Sequence, residues 1–240
     1  MKTTKERRSL IYLLKKAFVC TLPVLAGYIV LGIGFGILLS AKGYGALWAF
    51  FMSVFIYAGS MQYLAVDLLA EGATLITAAL TTLMVNARHL FYGISLVDKY
   101  KGAGKKKPYM IFALTDETYS LVCSQELGDD PKSTHTYFLF ISILDHIYWI
   151  CGCVIGDLLG QIIPFSVEGI DFVLTALFVT IFVEQWQSTK DHVSALIGVV
   201  CSVICLLIFG SDGFLIPSML AIMLALTVLK KIRKESADRG

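Results

Sequence analysis

At 240 residues, 57% of them hydrophobic and 16% charged, the chain carries too little charge for a soluble domain, where about a quarter of residues are charged. Its mean hydropathy is +0.74, and several apolar runs reach the ~20 residues that span a hydrocarbon core. Composition therefore excludes a soluble enzyme or a nucleic-acid binder and predicts an all-α, polytopic helical bundle in a membrane, with about eight embedded segments. The formal net charge of +2 hides clustering: Lys2, Lys5, Arg7, Arg8, Lys15 and Lys16 open the chain, Lys99, Lys101, Lys105, Lys106 and Lys107 fill one loop, and Lys230, Lys231, Arg233 and Lys234 lie near its end. Each cluster abuts an apolar run, where basic residues mark the cytoplasmic side.

Residues 1–16 read as a basic cytoplasmic arm, expected to lie as a helix on the membrane surface. A transporter domain over 17–230 and a cytoplasmic tail over 231–240 follow. The first apolar segment, 17–39, is uncharged and too long for a signal-peptide core, so it reads as a retained span. Its Gly32-x-x-x-Gly36 is the small-residue spacing that lets membrane helices approach closely. The second segment, 44–70, is interrupted by Ala58-Gly59-Ser60-Met61-Gln62, where a helix can break. Broken helices with N-termini aimed at anionic groups build many transporter sites, which makes Gly59, Ser60 and Gln62 candidate contacts. A continuous helix, with Gly59 packing and Ser60 bonded to the preceding turn, is the alternative.

The third segment, 73–97, holds Asn86-Ala87-Arg88-His89-Leu90-Phe91-Tyr92-Gly93. An ionisable group at bilayer depth costs at least ~2.5 to 3.5 kcal/mol on insertion scales and normally faces a protein interior or a wet cavity. Arg88 and His89 therefore read as a wall of a substrate pathway, against an alternative in which Arg88 snorkels to lipid phosphates. The fourth segment, 109–123, carries Thr115-Asp116-Glu117, read as a proton-coupling site or as the partner of Arg88. The acidic loop with Glu126, Asp129 and Asp130 reads as a solvated connection.

In the fifth segment, 137–163, Tyr148-x-x-x-Gly152-x-x-x-Gly156 echoes Tyr28-x-x-x-Gly32-x-x-x-Gly36. The echo suggests a duplication of 17–124 in 137–230. Asp145 and His146 are minor candidates. Segments at 172–186, 192–209 and 214–229 complete the chain, the last two joined by a turn at Gly210-Ser211-Asp212-Gly213. The six cysteines show no zinc spacing and read as small hydrophobes; no metal and no cofactor are expected.

Eight single spans from a cytoplasmic N-terminus would put the lysine loop outside, against the positive-inside rule. If the second and sixth segments enter and return to their own side, six crossings keep all the basic clusters inside. The two halves then form an inverted repeat.

The runs Tyr57-Ala58-Gly59-Ser60-Met61-Gln62-Tyr63, Asn86-Ala87-Arg88-His89-Leu90-Phe91-Tyr92-Gly93, Thr115-Asp116-Glu117 and Thr175-Ala176-Leu177-Phe178 resemble, in order and spacing, the AzlC family of bacterial branched-chain amino acid exporters. The resemblance implies a multi-pass protein of the bacterial cytoplasmic (inner) membrane. It implies export of leucine, isoleucine and valine, with methionine as a further substrate, beside a small hydrophobic AzlD-type subunit. A zwitterionic amino acid needs cations or free N–H groups for its carboxylate, an anion or carbonyls for its ammonium, and an apolar pocket. Arg88 and the Gly59-Ser60 break suit the first, Asp116 or Glu117 the second, and Phe91, Tyr92 and Phe178 the third. No nucleotide-binding loop of the Gly-x-x-x-x-Gly-Lys-Ser/Thr type occurs, so an ion gradient or substrate outflow is the expected drive. Export of another small zwitterionic or hydrophobic metabolite is one rival. A membrane-embedded enzyme using His89 with Asp116 and Glu117 is another, though it lacks a His-Glu-x-x-His or Gly-x-Ser-x-Gly signature. A channel or assembly scaffold is a third.

Overall fold

The computed structural model describes residues 4–125, 130–162, 172, 175–176, 179, 182–183, 186–187 and 191–237. The described elements are all helical: α1 Thr4–Ala41, α2 Ala46–Phe55, α3 Gly59–Ala70, α4 Leu75–Asn86, α5 Arg88–Leu96, α6 Lys107–Phe112, α7 Asp116–Ser124, α8 Pro131–Ile162, α9 Val193–Gly213 and α10 Leu215–Ala237, with a 3-10 turn at Gly104–Lys106. Three of them contain stretches long and apolar enough to cross a membrane: Leu10–Ala41, Pro131–Ile162 and Val193–Ser211. The chain forms two compact units, Met1–Thr82 with Asn86–Leu174, and Leu83–Val85 with Thr175–Gly240. The expected segment at 172–186 lies largely outside the described residues.

The first unit is built on α1 and α8. A Cβ on Gly32 would sit 2.8 Å from the Cys153 nitrogen, and one on Gly152 2.8 Å from the Tyr28 carbonyl. Any side chain there would push the backbones apart, so glycine is what permits the contact. The echoed motifs are thus the two faces of one junction. Gly36 lies against Cys153 and Gly156 against Ile33, at equivalent positions of the two echoed motifs.

That junction corrects the inverted-repeat expectation. Lys16 sits 5.0 Å over the Tyr137 ring near the start of both helices, and Gly160 packs on Ser40 near their ends. The helices run parallel, whereas an inverted repeat would set them antiparallel. A sequence echo carries no direction, so crossing parity alone had suggested inversion. The basic arm is also corrected: from Thr4 onward it is the first part of α1, not a separate surface helix.

Two hairpins of this unit, α2–α3 and α6–α7, are laid against the α1–α8 pair. α2 starts at the far end, where Gly45 approaches Gln161, and descends to mid-depth, where the Ser53 carbonyl accepts from His146 Nε2 at 3.1 Å. The chain breaks over 56–58, with Tyr57 at φ +43°, a left-handed conformation held in place by stacking on His146 at 4.1 Å. α3 then climbs back, and Asp67 meets Lys42 at 3.5 Å. The second segment is thus a helical hairpin that turns back at 56–58.

α6 and α7 make the opposite hairpin from the near end, where a single crossing was expected. The two helices meet at a break over 113–115. Lys99 Nζ donates to the carbonyls of Val122, Cys123 and Gln125 at 3.0, 2.6 and 2.6 Å, satisfying the open end of α7 with a cation. His135, near the start of α8, donates from Nε2 to the Lys99 carbonyl at 3.0 Å. The lysine loop, the end of α7 and the start of α8 therefore share one end. A core of Ala17, Leu96, Tyr100, Met110, Val122 and Phe138 seals that end.

In the second unit α9 packs on α10. Gly210 adopts φ +73°, a left-handed turn residue where the sequence predicted one.

Candidate functional site

Three helices of the first unit begin at one place, α3 and α7 after extended residues and α5 after a single turn residue, Ala87, that keeps helical dihedral angles. α3 starts at Gly59 after the Tyr57 turn, α5 at Arg88 after Ala87, and α7 at Asp116 after Thr115. Thr115 caps α7, its Oγ1 accepting from the Thr118 amide at 3.2 Å, and two acids in the first turn favour that end further. Arg88 at a positive helix terminus is unfavourable by itself. Asp116 offsets it: Arg88 Nη1 lies 2.7 Å from Asp116 Oδ2, and Nη2 donates to Ser60 Oγ at 2.8 Å. One guanidinium thus ties together the starts of α3, α5 and α7.

The pair is neither sealed nor open, the Arg88 and Asp116 side chains being 27% and 21% exposed. Asp116 Oδ1 is buried without a hydrogen bond among the described residues, as is Asn86 Oδ1, two residues before Arg88. Acceptors left this way carry a desolvation penalty of ~1–3 kcal/mol each until a donor arrives. His89 donates from Nδ1 to the Asn86 carbonyl at 3.2 Å and meets Tyr92 edge-on at 5.6 Å. Tyr92 stacks on Tyr119 at 4.5 Å, giving an aromatic flank. Phe178 lies outside the described residues.

Gly59 and Gln62 face a different neighbour. Trp149 of α8 covers both: a Cβ on Gly59 would stand 3.1 Å from its ring, and its Nε1 donates to Gln62 Oε1 at 2.8 Å. Gly59 and Gln62 therefore seat the start of α3 against α8, while Ser60 alone of the three meets Arg88.

Behind the ion pair runs a second polar row. Tyr28 Oη lies 2.7 Å from Glu117 Oε2 and 2.6 Å from Thr115 Oγ1. Thr115 Oγ1 is 3.1 Å from Thr118 Oγ1, which donates to Asp145 Oδ2 at 2.7 Å. Asp145 is fully buried. Its neighbour His146 bridges the two hairpins, donating from Nε2 to Ser53 and accepting from Tyr109 at 2.9 Å on Nδ1. Sequence reasoning ranked Asp145 low and passed over Tyr28 and Thr118. The available signal was helical spacing: Asp145, Trp149, Gly152 and Gly156 share one stripe of α8, the stripe turned to α1.

A family model described as AzlC protein matches residues 23–163. The chain is 45% identical over 230 residues, 95% of its length and 90% of the relative's, to the branched-chain amino acid transport protein AzlC of Bacillus subtilis (strain 168). It is 39% identical to an uncharacterized membrane protein of Helicobacter pylori (strain ATCC 700392 / 26695), over 90% of this chain and 95% of that one. With the inner membrane protein YgaZ of Escherichia coli (strain K12) it shares 28% identity over 76% and 78% of the two chains. No solved structure matches it. The match to the family model over more than half of the sequence, with a close relative along nearly all of it, makes this chain a membrane protein of the AzlC family.

Proposed function

We propose that the chain is a secondary transporter that exports branched-chain amino acids across the bacterial inner membrane, as the large subunit of a two-component exporter with a small AzlD-type partner. The observation that carries the reading is the Arg88–Asp116 pair at the meeting of three helix starts, where one guanidinium also holds Ser60. A zwitterion can open this pair without leaving a charge unmatched. Its carboxylate takes the Arg88 guanidinium and the Ser60 hydroxyl, and its ammonium takes Asp116. The site then holds the same charges before and after loading, which keeps the energy of the loaded and empty states close, as alternating access requires. Tyr92 and Tyr119 supply apolar surface beside it.

Two hairpins entering from opposite ends and meeting at mid-depth support the same reading, because irregular backbone at that depth is tolerated where it lines a cavity. His89 hydrogen-bonds its own helix boundary and neither acid, which favours a carrier over acid–base chemistry. The outward direction, the choice among leucine, isoleucine, valine and methionine, and the AzlD-type partner rest on the family resemblance. The test is counterflow of labelled leucine into proteoliposomes. A carrier accumulates label transiently against an unlabelled interior, and Arg88→Ala removes this accumulation at leucine concentrations near the wild-type half-saturation; undiminished counterflow by Arg88→Ala there would overturn the site.

A further inference from the structure

The second polar row contains a count that does not close. Four contacts link Glu117 to Asp145 through Tyr28, Thr115 and Thr118, at 2.7, 2.6, 3.1 and 2.7 Å. The three hydroxyls supply three protons. With both carboxylates ionised, one contact would set two oxygens together with no proton between them. A fourth proton, on either carboxyl, completes the row. If Glu117 holds it, Glu117 donates to Tyr28, Tyr28 to Thr115, Thr115 to Thr118 and Thr118 to Asp145. If Asp145 holds it, every bond reverses. The Thr118 amide donates to Thr115 Oγ1 in both cases, and Asp145 Oδ1, buried and without a hydrogen bond among the described residues, gives that end no other donor there.

We infer that Glu117, Tyr28, Thr115, Thr118 and Asp145 form a relay that holds a single proton and passes it between the two carboxyls. In one passage the Glu117 proton goes to Tyr28, the Tyr28 proton to Thr115, the Thr115 proton to Thr118 and the Thr118 proton to Asp145 Oδ2. One proton has moved toward α8, and the negative charge has moved from Asp145 to Glu117. Among the described residues, the other ionisable groups facing the row are Tyr57 from the α2–α3 break, Tyr148 from α8, and Asp116; His146 stacks on Tyr57. Asp116 is paired with Arg88, and His146 is held between Ser53 and Tyr109. Because Glu117 directly follows Asp116, the charge beside the amino-acid site changes with each passage. This link to transport rests on the function proposed above; the shared proton does not.

The test is the infrared carbonyl band of protonated carboxyl groups in the purified full chain at neutral pH, identified by its shift in heavy water. Glu117→Gln and Asp145→Asn each supply an amide donor at one end, so either substitution completes the row without a carboxyl proton. The expected result is loss of the same single-group band in each variant, and no greater loss in the double variant. A band lost in only one single variant, a double loss that sums the singles, or no loss at all would overturn the relay. Thr118→Val cuts the row while leaving both carboxyls. In proteoliposomes it is expected to abolish the response of labelled-leucine flux to an imposed pH gradient while exchange at equal pH continues, and an intact response would remove the relay from coupling. If the wild-type chain moves no leucine, the substrate assignment fails and the infrared cycle still decides whether the proton is shared.

Discussion

Replacing Arg88 with lysine keeps the charge and removes the geometry. Arg88 presents two nitrogens, Nη1 on Asp116 at 2.7 Å and Nη2 on Ser60 at 2.8 Å; in the proposed loaded site both grip the substrate carboxylate, and a single ammonium replaces only one of them. A hydrogen bond involving a charged group contributes ~1.5–3 kcal/mol. With the two side chains about a quarter exposed, solvent screening puts the loss near the lower end, ~1.5 kcal/mol. That is about a tenfold rise in the leucine concentration giving half-maximal counterflow. Arg88→Ala removes both contacts, a rise on the order of a hundredfold. Initial rates of labelled-leucine counterflow, measured over a concentration series on variants that elute from size exclusion as the wild type does, read both effects. Half-saturation unchanged by lysine would refute the two-nitrogen grip, and half-saturation unchanged by alanine would refute the contact itself.

Other consequences follow from the fold. Gly36→Val places a branched side chain into the Cys153 and Gly156 backbone; the overpacking is expected to lower stability by ~1–3 kcal/mol, read as a fall in thermal midpoint in detergent, whereas Gly27→Val, which meets nothing within 4 Å, leaves it unmoved. Lys99→Met leaves the α7 carbonyls open and is expected to raise hydrogen exchange across Val122 to Gln125 without affecting α3. Asp130 opens α8: its carboxylate accepts from Ser133 Oγ and from the Lys132 amide at 2.5 and 3.1 Å, and these bonds, the Ser133 hydroxyl first, hold its pKa below the usual carboxylate value. The depressed value means that the stabilisation is fully present above about pH 4, the unfolded carboxylate range, and is lost as pH falls through the folded value. Asp130→Asn is therefore expected to flatten the acid limb of a melting-temperature profile, and parallel limbs would contradict the cap.

What could be read in the sequence was whatever has to be satisfied in an apolar setting. Arg88 and Asp116 demanded partners, and they found each other; Gly59-Ser60 offered a break, and α3 begins there. The glycine echo at 28–36 and 148–156 reads in the sequence as a duplication; that the two motifs touch each other is visible only in the structure. The second hairpin was hidden because Ala113-Leu114 contains no glycine or proline, although Thr115-Asp116-Glu117 is a helix-start signature, a capping threonine followed by acids. It was weighed as chemistry and not as punctuation. Direction was hidden for a different reason: whether repeats run parallel or inverted depends on how many times the intervening chain crosses, and a hairpin that returns changes that parity without changing hydropathy. Asp145 looked minor because a lone acid on a long helix shows its importance only once Thr118 and Tyr28 are brought to it from other elements.

The central claim is that Arg88 and Asp116 receive the two ends of a zwitterion. Calorimetric binding of leucine, leucinamide and 4-methylpentanoate, which lack neither, the carboxylate and the ammonium respectively, tests it most directly. The wild-type chain should prefer leucine over both analogues by about tenfold or more, the contribution of one charged hydrogen bond. Arg88→Gln should erase the preference over leucinamide alone, and Asp116→Asn the preference over 4-methylpentanoate alone. Equal loss of all three ligands in both variants, or preferences that survive both substitutions, would contradict it.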